Sequence, residues 1–224
     1  MPELKIGDRW IGDGHPAYVI AEIGVNHNGI LQYAFDLIDA AVDAGVDAVK
    51  FQKRDLDELY PQKYLADSNV GEKNLNYLLP ILQQVELSDE DYFRIVDYCQ
   101  EKDVTFLCSA FDTKSADFID QLGVPAFKVA SADMINLPLL DYLAQKGKPL
   151  LVSTGMSRID EVDRTVEFLK DRGADFGLLH CNSTYPAAFE DINLRFMDRL
   201  REYGVVVGYS GHERGIAVST VAAA

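Results

Sequence analysis

Seven short runs of β-branched and apolar residues recur along the chain: Tyr18 to Ile23, Ala48 to Gln52, Val104 to Cys108, Ala126 to Ala130, Pro149 to Ser153, Phe176 to Cys181 and Val205 to Tyr209. Each is followed by polar residues and then by an amphipathic stretch, the order strand, loop, helix. Most of the runs are unbroken rather than alternating, which suits strands covered on both faces, as in a parallel sheet. The helices announce their ends. Leu31 to Ala44 places Leu31, Ala34, Phe35, Ile38, Ala41 and Val42 on one stripe and stops at Gly45, a residue suited to the left-handed turn beyond a helix C-terminus. Ser88 with Asp91 and Ser157 with Asp160 predict Ser-x-x-acid caps for helices running toward Lys102 and Arg172. Gly173 and Gly204 mark later helix ends, and Pro138 suits a first helical turn.

From Val104 onward the apolar runs start 22 to 29 residues apart, enough for a helix between successive parallel strands joined by right-handed crossovers. After the first strand stands Glu22-Ile23-Gly24-Val25-Asn26, where a dinucleotide-binding fold would carry Gly-x-Gly-x-x-Gly, and no Walker-type loop occurs. The prediction is therefore α/β, a (β/α)8 TIM-type barrel with its eighth strand missing, since the seventh strand is followed only by a helix ending at Ala224. Residues 1–224 read as a single barrel domain, incomplete at its C-terminus. Such an open barrel exposes strand edges, so low stability is expected of the isolated chain. The interval from Leu56 to Glu86 interrupts the regular spacing and is expected to form a partly helical lid or dimer-contact loop.

Charge narrows the partners. Lys and Arg total 21 against 36 Asp and Glu, a formal charge of −15, and the resulting field repels nucleic acid and anionic membrane alike. A small anionic ligand then requires that the few lysines converge. Three cysteines without a Cys-x-x-Cys pair give no disulfide framework and fit a reducing cytoplasm. No basic-then-apolar leader opens the sequence, and no apolar run approaches the ~18 residues that span a bilayer.

Parallel strands deliver their C-terminal ends to one mouth, where barrel active sites lie. Those ends supply Glu22, Lys50 with Gln52, Ser109 with Asp112, Lys128 with Ser131 and Asp133, Ser153 with Thr154, His180 with Tyr185, and Ser210 with His212. Lys50 in Ala-Val-Lys-Phe-Gln and Lys128 in Ala-Phe-Lys-Val-Ala carry most weight, because lysine rarely sits in an apolar strand without an anionic partner. Two such lysines facing one mouth predict a bound oxyanion; pairing with Glu22 or Asp133 is the structural alternative. Lys50 and Gln52, two apart, share a face. Ser109, Ser131 and Ser153 sit where strands pass into loops and offer hydroxyls to the same anion, although strand-end serines also serve as caps. Glu22 in an apolar strand must be paired, hydrogen-bonded or protonated, which makes it a candidate acid or base. His212 is a candidate ligand for a divalent ion, while His27 fits a polar turn better than an ion site. Cys108 and Cys181 read as buried inert thiols.

Taken together, Ile20-Ala21-Glu22-Ile23-Gly24 with Asn26-His27, Lys50-Phe51-Gln52-Lys53, Phe127-Lys128-Val129-Ala130-Ser131-Ala132-Asp133, Ser153-Thr154-Gly155-Met156, Tyr185-Pro186 and Gly208-Tyr209-Ser210-Gly211-His212-Glu213 resemble the sialic acid synthase family. The resemblance runs in order from about Arg9 to the last residue. It implies a barrel enzyme that condenses phosphoenolpyruvate with an open-chain N-acylated hexosamine, N-acetylmannosamine or its 6-phosphate, with help from manganese or magnesium. By that likeness Lys50, Lys128, Ser131 and Ser153 hold phosphoenolpyruvate, with Ser109, Asp133, Ser183 and Ser210 close by. Gln52 and Tyr185 border the sugar, Glu22 handles the water, and His212 binds the metal. Members of the family continue into an eighth strand bearing a second metal-ligand histidine and into a small antifreeze-like domain whose arginine reaches the partner subunit, so the complete protein is expected to be a homodimer. This chain shows neither segment, and Ser183 stands where some members have asparagine. Two other readings remain: a non-catalytic phosphate- or sugar-binding barrel fragment, and an aldolase-type barrel forming a Schiff base through Lys128.

Overall fold

The computed structural model describes residues 1–67 and 73–224, and within 73–76 only the backbone. The chain begins with an antiparallel hairpin, β1 (Glu3–Ile6) and β2 (Arg9–Gly12), turned at Gly7 with φ of +60°. Leu4, Ile6 and Ile11 are its buried side chains. The alternation Leu4, Ile6 followed by Gly7-Asp8 is a hairpin signal that the seven-strand reading passed over. This hairpin belongs with Pro125–Ala224 in one compact unit, and Tyr18–Val124 forms the other.

The Tyr18–Val124 unit holds β3 (Ile20–Gly24), α1 (Leu31–Asp43), β4 (Ala48–Lys53), α2 (Leu56–Leu59), α3 (Gln62–Ala66), α4 (Lys73–Val85), α5 (Asp89–Glu101), β5 (Thr105–Ala110) and α6 (Thr113–Gln121). Its strands pair in parallel in the order β3-β4-β5, with Glu22 opposite Lys50 and Gln52 opposite Ser109. Ala34, Ile38 and Ala41 are the buried stripe of α1, and Gly45 takes φ of +75° just beyond it. Ser88 and Asp91 form a reciprocal capping box at α5, satisfying two of the amides a helix start leaves open. The expected insertion is helical in α2, α3 and α4, while its residues 68–72 lie outside the described ones.

The second unit continues with β6 (Phe127–Val129), a 3-10 turn (Ser131–Asp133), α7 (Leu137–Ala144), β7 (Leu150–Ser153), α8 (Ile159–Asp171), β8 (Phe176–His180), a second 3-10 turn (Phe189–Asp191), α9 (Phe196–Arg201), β9 (Val206–Tyr209) and α10 (Ala217–Ala223). Strands β6-β7-β8-β9 are parallel neighbours in chain order. Every residue of β7 is buried, as the unbroken apolar run predicts for a doubly covered strand. One cap differs from expectation by a residue: Arg158, not Ser157, is the N-cap of α8, and its backbone N–H donates to Glu161 at 2.7 Å. The Ser157 hydroxyl turns instead to the Gly155 carbonyl at 3.3 Å. All seven predicted strands form, each within two residues of its expected ends.

Candidate active site

In the Tyr18–Val124 unit the site is built on β4. Lys50 is 5% exposed, and its Nζ lies 2.8 Å from a Glu22 carboxylate oxygen and 2.8 Å from Ser109 Oγ, with the Phe51 carbonyl at 3.4 Å. The Glu22 side chain is 50% exposed, so the pair is dry at the ammonium and wet at the carboxylate. Gln52 shares the Lys50 face, and its Oε1 accepts from Arg54 Nη2 at 2.7 Å. A Cβ at Gly24, where φ is +56°, would stand 3.0 Å from Glu22 Oε1 and 3.4 Å from Gln52 Nε2. The glycine thus lets carboxylate and amide close over the strand end. Asp112, at the end of β5, accepts from the Ser115 and Asp55 backbone amides at 2.6 and 2.7 Å, capping α6 and bracing the loop after β4.

In the other unit Lys128 is 7% exposed and donates to the Val129 carbonyl and to Ser153 Oγ, both at 2.6 Å. Ser153 Oγ stands 2.9 Å from Ser210 Oγ. These serines end β7 and β9, strands separated by β8, and meeting of alternate strands is the layering of a curled barrel interior. Ser131 and Ser183 both crowd Gly155: a Cβ there would stand 2.7 Å from Ser131 Oγ and closer still to Ser183 Oγ. Asp133 accepts from Asn136 Nδ2 at 3.1 Å, beside the start of α7.

His212 has a fixed tautomer. Its Nδ1 lies 2.7 Å from the Asn182 carbonyl, which can only accept, so Nδ1 carries the proton and Nε2 presents its lone pair to the Tyr185 hydroxyl at 2.6 Å. The two rings lie 3.8 Å apart, and Tyr185 is 75% exposed. Holding Nδ1–H on a carbonyl is how metal-ligating histidines are oriented, although here Nε2 is engaged by the Tyr185 hydroxyl. Among the described residues no group of three or more His, Cys, Asp or Glu could hold an ion. His212 alone would be one ligand of a divalent cation, whose remaining positions would need substrate oxygens, water or further protein groups.

The other thiols and imidazoles sort by environment. His27 makes the expected turn, accepting from the Gly29 amide at 3.1 Å, but it is also 1% exposed and packs on Phe51. Burial pushes its pKa below the usual value, against the pull of the Gly24 carbonyl. Burial likewise pushes the Cys99 and Cys108 thiols up to about 12, so neither is a nucleophile at neutral pH. Cys181 is buried as expected, yet it has a histidine neighbour that sequence distance hid: its Sγ lies 3.9 Å from His212 Nδ1 and 3.7 Å from Ser183 Oγ. Arg54, which holds Gln52, escaped the sequence reading, while Gly155, Tyr209, whose hydroxyl donates to Glu213 at 2.6 Å across Gly211, and the strand-end His180 were named there without a role of their own.

Buried lysines seated on serine hydroxyls stand at the C-terminal ends of parallel β/α strands, in a fold of the (β/α)8 TIM-type barrel class, of which seven strands are present among the described residues. The NeuB family profile matches residues 37–224, and the chain belongs to the NeuB family. It is 36% identical over 219 residues to the human N-acetylneuraminate-9-phosphate synthase, an alignment covering 96% of this chain and 61% of that protein. It is 38% identical over 221 residues to the N,N'-diacetyllegionaminic acid synthase of Legionella pneumophila, covering 94% of this chain and 62% of that one. The crystal structure of the N-acetylneuraminic acid synthetase of Leptospira borgpetersenii in complex with citrate superposes with a TM-score of 0.87 at 30% identity, over 98% of this chain and 73% of that one. The chain thus spans less than two thirds of the length of these two curated synthases. Among the described residues no helix is long and apolar enough to cross a membrane.

Proposed function

We propose that the chain carries the phosphoenolpyruvate-handling part of a synthase that joins phosphoenolpyruvate to an N-acylated hexosamine, N-acetylmannosamine or its 6-phosphate, releasing phosphate and a nine-carbon 2-keto sugar acid. The observation that carries this reading is the buried Lys128–Ser153–Ser210 chain, an ammonium and two hydroxyls linked within hydrogen-bond distance. Phosphate on a substrate would replace neutral oxygens with charge-assisted partners there. By the family likeness Lys50 with Ser109, and Ser131, Ser183 and Asp133, would be further substrate-binding residues. Gln52 and Tyr185 would border the sugar.

In this mechanism the enol carbon of phosphoenolpyruvate forms a bond to the sugar aldehyde carbon, and the aldehyde oxygen takes a proton to become a hydroxyl. The adjacent carbon, which bears the phosphate oxygen, becomes an oxocarbenium centre, which the Glu22 carboxylate stabilises. Water adds to that centre and gives its proton to Glu22, a general-base role suited to a carboxylate half in solvent. The resulting tetrahedral carbon expels phosphate by C–O cleavage and leaves the ketone. A divalent ion, manganese or magnesium, would be held by His212 and would polarise the aldehyde when bound. The remaining length of the protein would complete a homodimeric enzyme of the cytoplasm.

The test is phosphate release from phosphoenolpyruvate with N-acetylmannosamine or its 6-phosphate and Mn²⁺, measured on this chain and on the protein extended beyond Ala224. Release dependent on the sugar supports the reading. No release by the extended protein with any N-acylhexosamine overturns it, and binding without turnover favours a non-catalytic fragment instead.

A further inference from the structure

His180 is a buried imidazole that the proposed chemistry does not use. It ends β8 with 7% exposure, between Phe196 of α9 at 5.5 Å and Tyr209 of β9 at 5.9 Å. Its Nε2 lies 2.5 Å from the Ile192 carbonyl. A carbonyl only accepts, so Nε2 carries a proton and donates it. The chain leaves His180, runs through 181–192, and returns to the His180 ring, so this one bond closes both ends of the loop.

That loop carries much of the candidate site. Asn182 supplies the carbonyl that holds the proton on His212 Nδ1, and Tyr185 supplies the hydroxyl at His212 Nε2. Ser183 supplies the hydroxyl over Gly155. Apart from the His180 bond, the loop is tied by Asn182 Nδ2 to its own Asp191 carbonyl at 3.1 Å and by the Ala187 amide to the His212 carbonyl at 3.2 Å. A cavity of about 1090 Å³ lies alongside, lined by Thr154, His180, Asn182, Ser183, Asn193 and Arg195 among others. The loop thus borders open space on that side and is held by these polar ties together with the buried side chains of Cys181, Ala187 and Ile192.

We infer that His180 is a positioning residue: its Nε2–H, by holding the Ile192 carbonyl, sets the 181–192 loop and through Asn182 fixes the tautomer of His212. Only the kinetic arm of the test rests on the proposed condensation; the spectroscopic arm does not. The test compares His180→Gln, whose amide nitrogen reaches about as far as Nε2, with His180→Asn, which is too short to reach Ile192 while keeping a polar group at the site. Nitrogen-15 spectra of the His212 ring, assigned with His212→Gln and recorded well above the usual histidine titration range, report which nitrogen is protonated. Expected are Nδ1-protonated rings in the wild type and His180→Gln, and an averaged pair of nitrogens in His180→Asn. In the kinetic arm, kcat for phosphate release is expected to fall about 10- to 100-fold in His180→Asn, the scale of a misplaced catalytic group, with a smaller change in KM for phosphoenolpyruvate and recovery in His180→Gln. Identical His212 spectra in all three proteins would overturn the inference. If the protein extended beyond Ala224 releases no phosphate with any N-acylhexosamine, the condensation reading fails while the spectra still decide the role of His180.

Discussion

Removing either partner of the Lys50–Glu22 pair should give unequal losses of stability, because only one partner is dry. In Glu22→Gln the ammonium stays buried, its side chain 6% exposed, with only Ser109 Oγ and the Phe51 carbonyl for company. Stripping one partner from a fully buried pair costs about 3–5 kcal/mol. Since the Glu22 side chain is 50% exposed, solvent already screens half of this interaction, and a loss of about 1–2 kcal/mol is expected. In Lys50→Met the carboxylate simply rehydrates. The lost hydrogen bond to Ser109 is offset by the desolvation that an apolar side chain of similar volume no longer incurs, so the net change should stay within about 1 kcal/mol. Urea denaturation distinguishes the two. With a slope of about 1–3 kcal/mol/M, Glu22→Gln should lower the midpoint by roughly half a molar or more, and Lys50→Met should barely move it. Both should lose phosphate release. A Lys50→Met protein less stable than Glu22→Gln would show that the carboxylate, not the amine, is the group that depends on the pair.

Lys128→Met removes a charge-assisted contact worth about 1.5–3 kcal/mol, so KM for phosphoenolpyruvate should rise roughly 10- to 150-fold in steady-state phosphate-release assays; an unchanged KM would remove Lys128 from the anion site. Gly211→Ala drives a methyl into the Tyr209 hydroxyl and ring and the Glu213 carboxylate. It should destabilise by about 1–3 kcal/mol in thermal melts, and the Tyr209 phenol, pushed up by burial and by Glu213, should titrate nearer its ordinary range. His27 gives a pH signature: its folded pKa lies below the usual value because burial disfavours the charged ring. The unfolded chain therefore takes up a proton near pH ~6.5 that the folded chain refuses, so stability is full above that pH and falls as pH drops through the window below it. His27→Gln should flatten that part of the urea-midpoint profile, and an unchanged slope would assign it to other groups. Ser88→Ala should cost about 1 kcal/mol by calorimetry, through loss of the capping box on α5.

The strand frame was legible because doubly covered parallel strands leave unbroken apolar runs, and the two lysines stood out against exactly that background of Val, Phe and Ala. Helix punctuation was legible wherever one residue must do a special job, as Gly45 at φ of +75° and Ser88 at its capping box show. What stayed hidden depends on contacts between residues far apart in sequence. Cys181 and His212 are 31 positions apart yet 3.9 Å from each other. His180 looks like any polar end to an apolar strand until the loop is seen to return to it at Ile192. Ser157 was taken one position too early because Ser and Arg158 compete for the same cap, and the Gly155 carbonyl claims the serine hydroxyl. The hairpin at Glu3–Ile6 and Arg9–Gly12 was missed because four-residue strands give too short an alternation to stand out.

Ser153 and Ser210 touch although a whole strand runs between theirs, so their 2.9 Å separation gauges how tightly this part of the wall bends. The bend depends on small residues behind it: a Cβ at Gly208 would stand 2.7 Å from the Leu179 side chain on that intervening strand. Interior packing and ligand affinity are thereby mechanically linked. A substitution that flattens the wall, even one that leaves every polar group in place, would spread the two hydroxyls and slacken the grip on the anion proposed to bind there.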